Sequence, residues 1–496
     1  MRHELVLLGL IAAWTPQAAL AQRPPEPTPT AIVLRPAAEP RPALKYRLVP
    51  ERSSLVPGNA AIFYHRAIQL ALDRRMRFAA EDRVEGGART ETVDEQIANW
   101  VSGPIAKLPR QEARKQLDAF EAVLREIELG AARSTCDWEL DQRQEGYSLL
   151  LPEIQEMRSL ARLVALRSKL AILDGKPDEA MHWIEIGLVM GRHVSDGPNV
   201  IQALVGVAID FVALRCLDDL IQVPGAPNLF WALADAPRPF IDMRHALEGE
   251  RHLIDKELPG LNELDEGPWS LDRARRFADE LQRKLFALTS SEPIGMEDSG
   301  TANEMAGLVR RLGIAAMSAK IYPEAKKALI TQGRPAVDVE AMPVIQVAVL
   351  YSVQEYQRLL DEAYKWIHVP YWQSYDKVDH SIQRSADQKL ANPLLAMFQT
   401  LIPGLNAVRL AAIRLDRQLD ALQCIEAIRL YAAAHGGTLP PSLEVLQDAP
   451  APIDPLTGKL FSYSVDGDSA TLSAPLPPGG PNHPNYALRY VLKLAR

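Results

Sequence analysis

From Asn59 to about residue 435 the apolar positions recur every three or four residues. That is the period of an α-helix burying one side. Asn59 is placed to cap a helix running through Ile62, Phe63, Ala67, Leu70 and Leu72. Thr92-Val-Asp-Glu95 has the spacing of a capping box, in which threonine and glutamate each satisfy an amide at the other's position. Leu117, Phe120, Val123, Leu124 and Ile127 predict one helix over 110–129. Pro152 suits a first helical turn, because its missing amide would be unpaired there anyway. The helix it opens lines up Ile154, Met157, Leu160, Val164 and Leu170. Asp174-Gly175 ends that helix and Pro177 opens the next, so Ala180, Ile184 and Leu188 fold back as an antiparallel hairpin.

The turn glycine and Ala180 make this hairpin resemble one tetratricopeptide repeat, but the neighbouring segments show no 34-residue period. Helices are further predicted near 242–257, 270–288, 302–319 and 343–365, with an exposed loop over 292–302. Asn228 to Phe240 reads as a short aromatic helix broken by Pro237 and Pro239. A long helix over 407–435 carries Leu415, Leu419, Leu422, Ile425 and Ile428 and stops at Gly436-Gly437. Beyond it the period changes to two over 461–465, 470–473 and 486–494, with Asp466-Gly467 as turn chemistry. The predicted fold is mainly α: an array of antiparallel helical hairpins, weakly tetratricopeptide-like, with a small C-terminal α+β unit of one long helix and about three antiparallel strands. Its expected divisions are a signal peptide (1–21), a Pro-rich disordered linker (22–43), a helical body (44–405) and the long helix with its β unit (406–496).

Composition narrows the function classes. The 496 residues carry a net charge of −8, so bulk charge gives nucleic-acid binding no support. Three cysteines form no disulfide framework; Cys136 and Cys216 offer one pairing, and an odd thiol remains. Arg2 and His3 precede an apolar run from Leu5 to Trp14, and Ala19-Leu20-Ala21 then has small-x-small form. This is the layout of a secretory signal peptide cleaved between Ala21 and Gln22. Export to a periplasmic or extracellular location follows as the expectation. Residues 22–43 hold seven prolines and read as a spacer. The apolar stretch 199–217 contains Asp210 and Arg215, which favours a buried core helix, so no transmembrane segment is expected in the mature chain.

Candidate chemistry is sparse. His245, Glu248 and His252 fall at i, i+3 and i+7 and would share a helix face, a possible metal-ligand set, although His-Glu-x-x-His is absent. His368, Asp376, Asp379 and His380 form a polar cluster that reads as surface. Ser374-Tyr-Asp-Lys377 fits Ser-x-x-Lys without its companion motifs. Phosphate-binding and dinucleotide-binding glycine loops are missing, and no cofactor is expected.

Residues 429–443 and 453–472 resemble the soluble part of type II secretion pseudopilins. Tyr431, Gly437, Pro440, Asp454, Pro455, Gly458 and Tyr463 stand at matching places, with Asp454, Pro455 and Gly458 forming the Asp-Pro-x-x-Gly turn. The processing site and membrane helix of that family are absent, so filament assembly does not carry over. Its calcium loop would correspond to Asp466 and Asp468, which read first as a hairpin turn. The whole layout, including the N-L-x-W-A-L-x-D-x-P-R-P segment at 228–239, resembles exported proteins typical of planctomycete bacteria. The resemblance implies export and supplies no activity. The expected function is a non-catalytic scaffold whose partners are other envelope or secreted proteins. The alternative is a secreted hydrolase or metal-binding protein with its site near His245 and His252.

Overall fold

The computed structural model describes residues 27–84, 91–139, 151–251, 259–289, 301–377, 392, 394–395 and 405–495. The signal segment with Ala21 and Gln22, residues 292–300 of the loop expected over 292–302, and His252, Asp379 and His380 lie outside them; the loop's last two residues, Thr301 and Ala302, are helical. The fold is mainly α, with a small sheet of largely antiparallel strands after a long helix.

The chain forms two compact units. The first contains described residues up to Leu247 together with those from Asn406 onward; the second runs from Glu248 to Leu405. This differs from the expected division into a body ending at 405 and a separate tail. The long helix and the sheet belong with the first half of the chain, and the second unit is an insertion.

In the first unit, α1 (Ala61–Val84) starts where the Asn59 side chain accepts the Ala61 amide at 3.0 Å. Its buried positions include Ala61, Tyr64, Ala67, Ile68 and Ala71, whereas Ile62, Leu70 and Leu72 are exposed. The expected stripe was therefore rotated. The capping box at Thr92 opens α2 (Val93–Ser102), with both reciprocal bonds present. The single helix expected over 110–129 is two, α3 (Arg110–Ala119) and α4 (Glu121–Ala131). Phe120 leaves helical geometry between them (φ −108°, ψ 13°) and buries its ring beside Phe78. β2 (Val56–Asn59) and β3 (Arg133–Thr135) pair in parallel.

Three helices make the centre of this unit: α5 (Pro152–Leu173), α6 (Pro177–Ser195) and α7 (Val200–Leu220), which pack on one another. Gly175 turns the chain between α5 and α6 at φ +70°. Helix α7 is long and apolar enough to cross a membrane; 67% of its most apolar window is buried within the protein. Short α8 (Phe230–Ala234) follows, and α9 (Arg244–Arg251) leads out of the unit.

The second unit is helical: α10 (Leu271–Thr289), α11 (Thr301–Thr331), α12 (Ala336–Ala341) and α13 (Val344–Tyr364). Helix α11 continues through Pro323, past the expected end at 319. Leu281, Ile321, Leu329, Val347 and Leu360 belong to its core. Gln346 is buried among them; its amide oxygen takes the Trp269 amide, and its nitrogen donates to the Leu264 and Gly267 carbonyls.

Re-entering the first unit, α14 (Leu405–Ala434) leads to the β structure. β4 (Ile453–Asp454) and β5 (Lys459–Leu460) make a minimal antiparallel pair. β6 (Ser462–Asp466), β7 (Ser469–Ala474) and β8 (Leu488–Leu494) form the expected antiparallel set. A fourth strand, β1 (Thr30–Leu34), lies parallel to β8 and gives the order β1-β8-β7-β6. That strand falls inside the expected disordered linker 22–43, so from Thr30 onward the spacer reading is corrected. Its last four residues alternate their exposure, Ile32 and Leu34 buried and Ala31 and Val33 exposed, as a strand on a core does.

Candidate functional site

The residues singled out for chemistry are mostly committed to local structure. His245 is exposed and its Nδ1 lies 2.8 Å from the Asp196 carbonyl, to which it donates. Glu248 is also exposed on α9. Among the described residues no group of three His, Cys, Asp or Glu side chains is placed to hold a metal ion. Ser374 is buried, and its hydroxyl donates to the Pro370 carbonyl at 2.9 Å. Lys377 pairs with its neighbour Asp376 at 3.1 Å, and His368 ends a 3-10 turn. Cys136, Cys216 and Cys424 are free thiols. Burial pushes the Cys216 thiol up to about 12, and the thiols of Cys136 and Cys424 rise for the same reason, so none is poised as a thiolate.

The turn at Asp454 does form. Its Oδ1 accepts the Leu456 amide at 3.0 Å, its Oδ2 accepts the Thr457 hydroxyl at 2.9 Å, and its carbonyl accepts the Gly458 amide at 2.8 Å. Gly458 stands at φ +69°, where a side chain would be strained. Asp454 is buried, and a further donor compensates its charge: Arg417 Nη2 of α14, at 2.8 Å. The same guanidinium donates to the Pro475 and Tyr486 carbonyls, tying the turn and the approach to β8 onto the helix. Asp466-Gly467-Asp468 is the β6–β7 turn, with Gly467 at φ +56°.

Arg417 is one of several buried polar residues on α14. Asp416, Asp420, Gln423, Glu426 and Arg429 are also buried, spaced three or four apart, and form a polar stripe facing protein. Asp416, Asp420, Glu426 and Arg429 find partners in 226–240. Asp416 Oδ1 accepts the Phe240 amide at 2.8 Å. Asp420 takes two bonds from Arg238, at 2.8 and 3.0 Å. Glu426 holds Arg429 at 2.6 Å and accepts the Leu229 amide at 2.9 Å. Asn228 donates to the Glu426 and Ala37 carbonyls, and its own carbonyl oxygen caps the Phe230 amide. Arg429 also reaches the carbonyls of Arg35, Ala226 and Pro227. Burial raises the carboxyls of Asp420 and Glu426 against the pull of Arg238 and Arg429; it pushes Asp416 up to about 7, opposed first by the Phe240 amide. A carboxyl near 7 suits proton transfer. Here, however, each acid already binds a backbone amide or a guanidinium, so the chemistry of the stripe is the fastening of irregular backbone to a helix.

Sequence reasoning missed the stripe. Its signal, polar residues at helical spacing opposite leucines and isoleucines, is also that of a solvated face.

Two further acids lie on α7, Asp218 half-buried and Asp210 fully so. Tyr490 of β8 donates to Asp218 at 3.1 Å, and burial pushes that carboxyl up to about 7. Asp210 is fully buried and neither carboxyl oxygen has a hydrogen-bond partner among the described residues. It faces Gly191 of α6, where a Cβ would sit 2.0 Å from Asp210 Oδ1. Burial raises the Asp210 carboxyl well above the ordinary range, against the attraction of Arg192, and so favours the neutral acid. Beneath α1, Tyr64 donates to His193 Nδ1 at 2.9 Å, and burial lowers that imidazole to about 4. Comparison with family models, with curated proteins and with solved structures gives no match.

Proposed function

We propose that the protein is an exported helical scaffold that binds other envelope or secreted proteins. The observation that carries this reading is a surface one. In the second unit Leu271, Leu312 and Val337 are 70%, 61% and 70% exposed, on three different helices. Exposed apolar side chains on the helices of an array are available to a partner chain. The buried ionic groups of the first unit support the same reading, because their side chains tie chain segments together. The signal-peptide layout of residues 1–21 supplies the export.

The test is crosslinking in the cell envelope followed by co-purification on a tagged full chain. The reading expects reproducible partners with the native chain and their loss with Leu271→Asp, Leu312→Asp and Val337→Asp combined. Recovery of the native chain as a lone monomer, with and without crosslinker, overturns it.

A further inference from the structure

We propose that the β1–β8 pair is a tension clamp that shields both helical units from force applied to the flanks of the chain. The inference rests on the direction and register of these strands. They run parallel, with Thr30 opposite Tyr490 and Leu34 opposite Leu494. A pull on residues before Thr30 therefore enters β1 at the end where β8 is earliest in sequence. A pull on residues after Leu494 leaves β8 at the opposite end. The two forces point away from each other along neighbouring strands and shear them. In a parallel ladder the bonds are evenly spaced. Shear loads all five residue pairs together, whereas unzipping would load one at a time.

Side-chain and backbone locks reinforce the pair. Ile32 and Leu34 are buried, so sliding β1 drags two apolar side chains out of the core. The Ala495 amide donates to the Leu34 carbonyl at 2.8 Å, just past the last strand pair. On the outer edge of β1 the Val33 amide donates to Gln222 Oε1 at 3.1 Å, and Arg35 donates to the Gln222 carbonyl at 2.9 Å. Arg429 donates to the Arg35 carbonyl at 2.9 Å, and the Ala37 amide returns a bond to the Arg429 carbonyl. Thus β1 is held on both edges and at its exit.

The path of the force completes the argument. Both strands belong to the first unit, and all residues between 35 and 487 lie between them in sequence. While the pair holds, tension passes from one strand to the other and the interior, including the inserted unit, is not stretched. A chain anchored at one flank and pulled at the other keeps its helices folded until the pair shears. Forced unfolding is governed by the rate of that first event.

Single-molecule force spectroscopy on the full chain tests this. Handles at Pro27 and Arg496 shear the pair; handles at Pro27 and Gly479, in the exposed turn before β8, enter both strands at the same end and unzip it. The expected result is one dominant rupture in the shear geometry, several-fold higher in force than in the unzipping geometry, with release of the interior only afterwards. Ile32→Pro, which removes a backbone donor and a buried side chain, is expected to lower the shear rupture. Equal rupture forces in the two geometries, or release of helical length before the dominant rupture, would overturn the proposal. The geometry comparison uses the native sequence, so it decides the matter even when Ile32→Pro fails to fold.

Discussion

Asp210 sets the strongest constraint at a single position. A carboxyl with two unpartnered oxygens in the core is tolerable only as the neutral acid. In the unfolded chain it ionises near pH 4. Its contribution to stability is therefore complete below pH 4 and declines as pH rises towards its raised folded value. Asp210→Asn removes that dependence, so its stability in urea denaturation should decline less than the native chain's as pH rises from 4 to 8. The facing glycine makes the reciprocal prediction. Gly191→Ala places a methyl against Asp210 Oδ1 and should cost about 1–3 kcal/mol, a penalty that Asp210→Ala partly relieves in a double-mutant cycle. Arg429 differs, because its charge is paired. Arg429→Ala leaves Glu426 buried without its cation and strips donors from three carbonyls, so a loss on the order of 3–5 kcal/mol is expected in the same measurement.

Among the elements, α14 joins two kinds of order. Its leucines and isoleucines pack as any amphipathic helix does, while its polar stripe holds backbone that has no ladder of its own. The helices and the last three strands were legible from local signals: the Thr92 box, Pro152, Gly175, the two-residue period after 460. What stayed hidden depended on distant partners. Strand β1 sits among prolines and looks like a spacer until β8, some 460 residues later, pairs with it. Phe120 continues a helical stripe in sequence, yet its backbone leaves helical geometry between two helices. The same distinction applies to the candidate chemistry. His245 and Ser374 have suggestive spacing, and each turned out to be bonded to a nearby carbonyl. For the turn at the base of β4 and β5, Gly458→Ala forces φ +69° on a residue with a side chain and should cost about 1–2 kcal/mol. Faster hydrogen exchange at Leu456 and Gly458 would report it.

Across the whole molecule, the acids of the first unit whose carboxyls are raised act in one direction. Asp416 and Asp218 lie near 7 when folded, against about 4 when unfolded, and burial raises Asp210 in the same direction. Their joint contribution is present below pH 4 and is lost as pH rises through about 7. His193 opposes them on the acid side: neutral to about 4 when folded, it loses stability as pH falls below about 6.5, where the unfolded imidazole takes up a proton. The combined Asp416→Asn and Asp218→Asn variant should therefore flatten the decline between pH 5 and 7, and His193→Gln should flatten the acid limb. Urea midpoints across pH 4–8 separate the two. The insertion of the second unit has a kinetic meaning. Residues 226–240 meet α14 only across a detour of roughly 160 residues. Closing so long a flexible loop is entropically costly and slows the search. If the insertion collapses first around its own core, that detour becomes a short bridge between fixed ends. Folding order then becomes a property of the architecture, with the interrupted unit waiting for its guest.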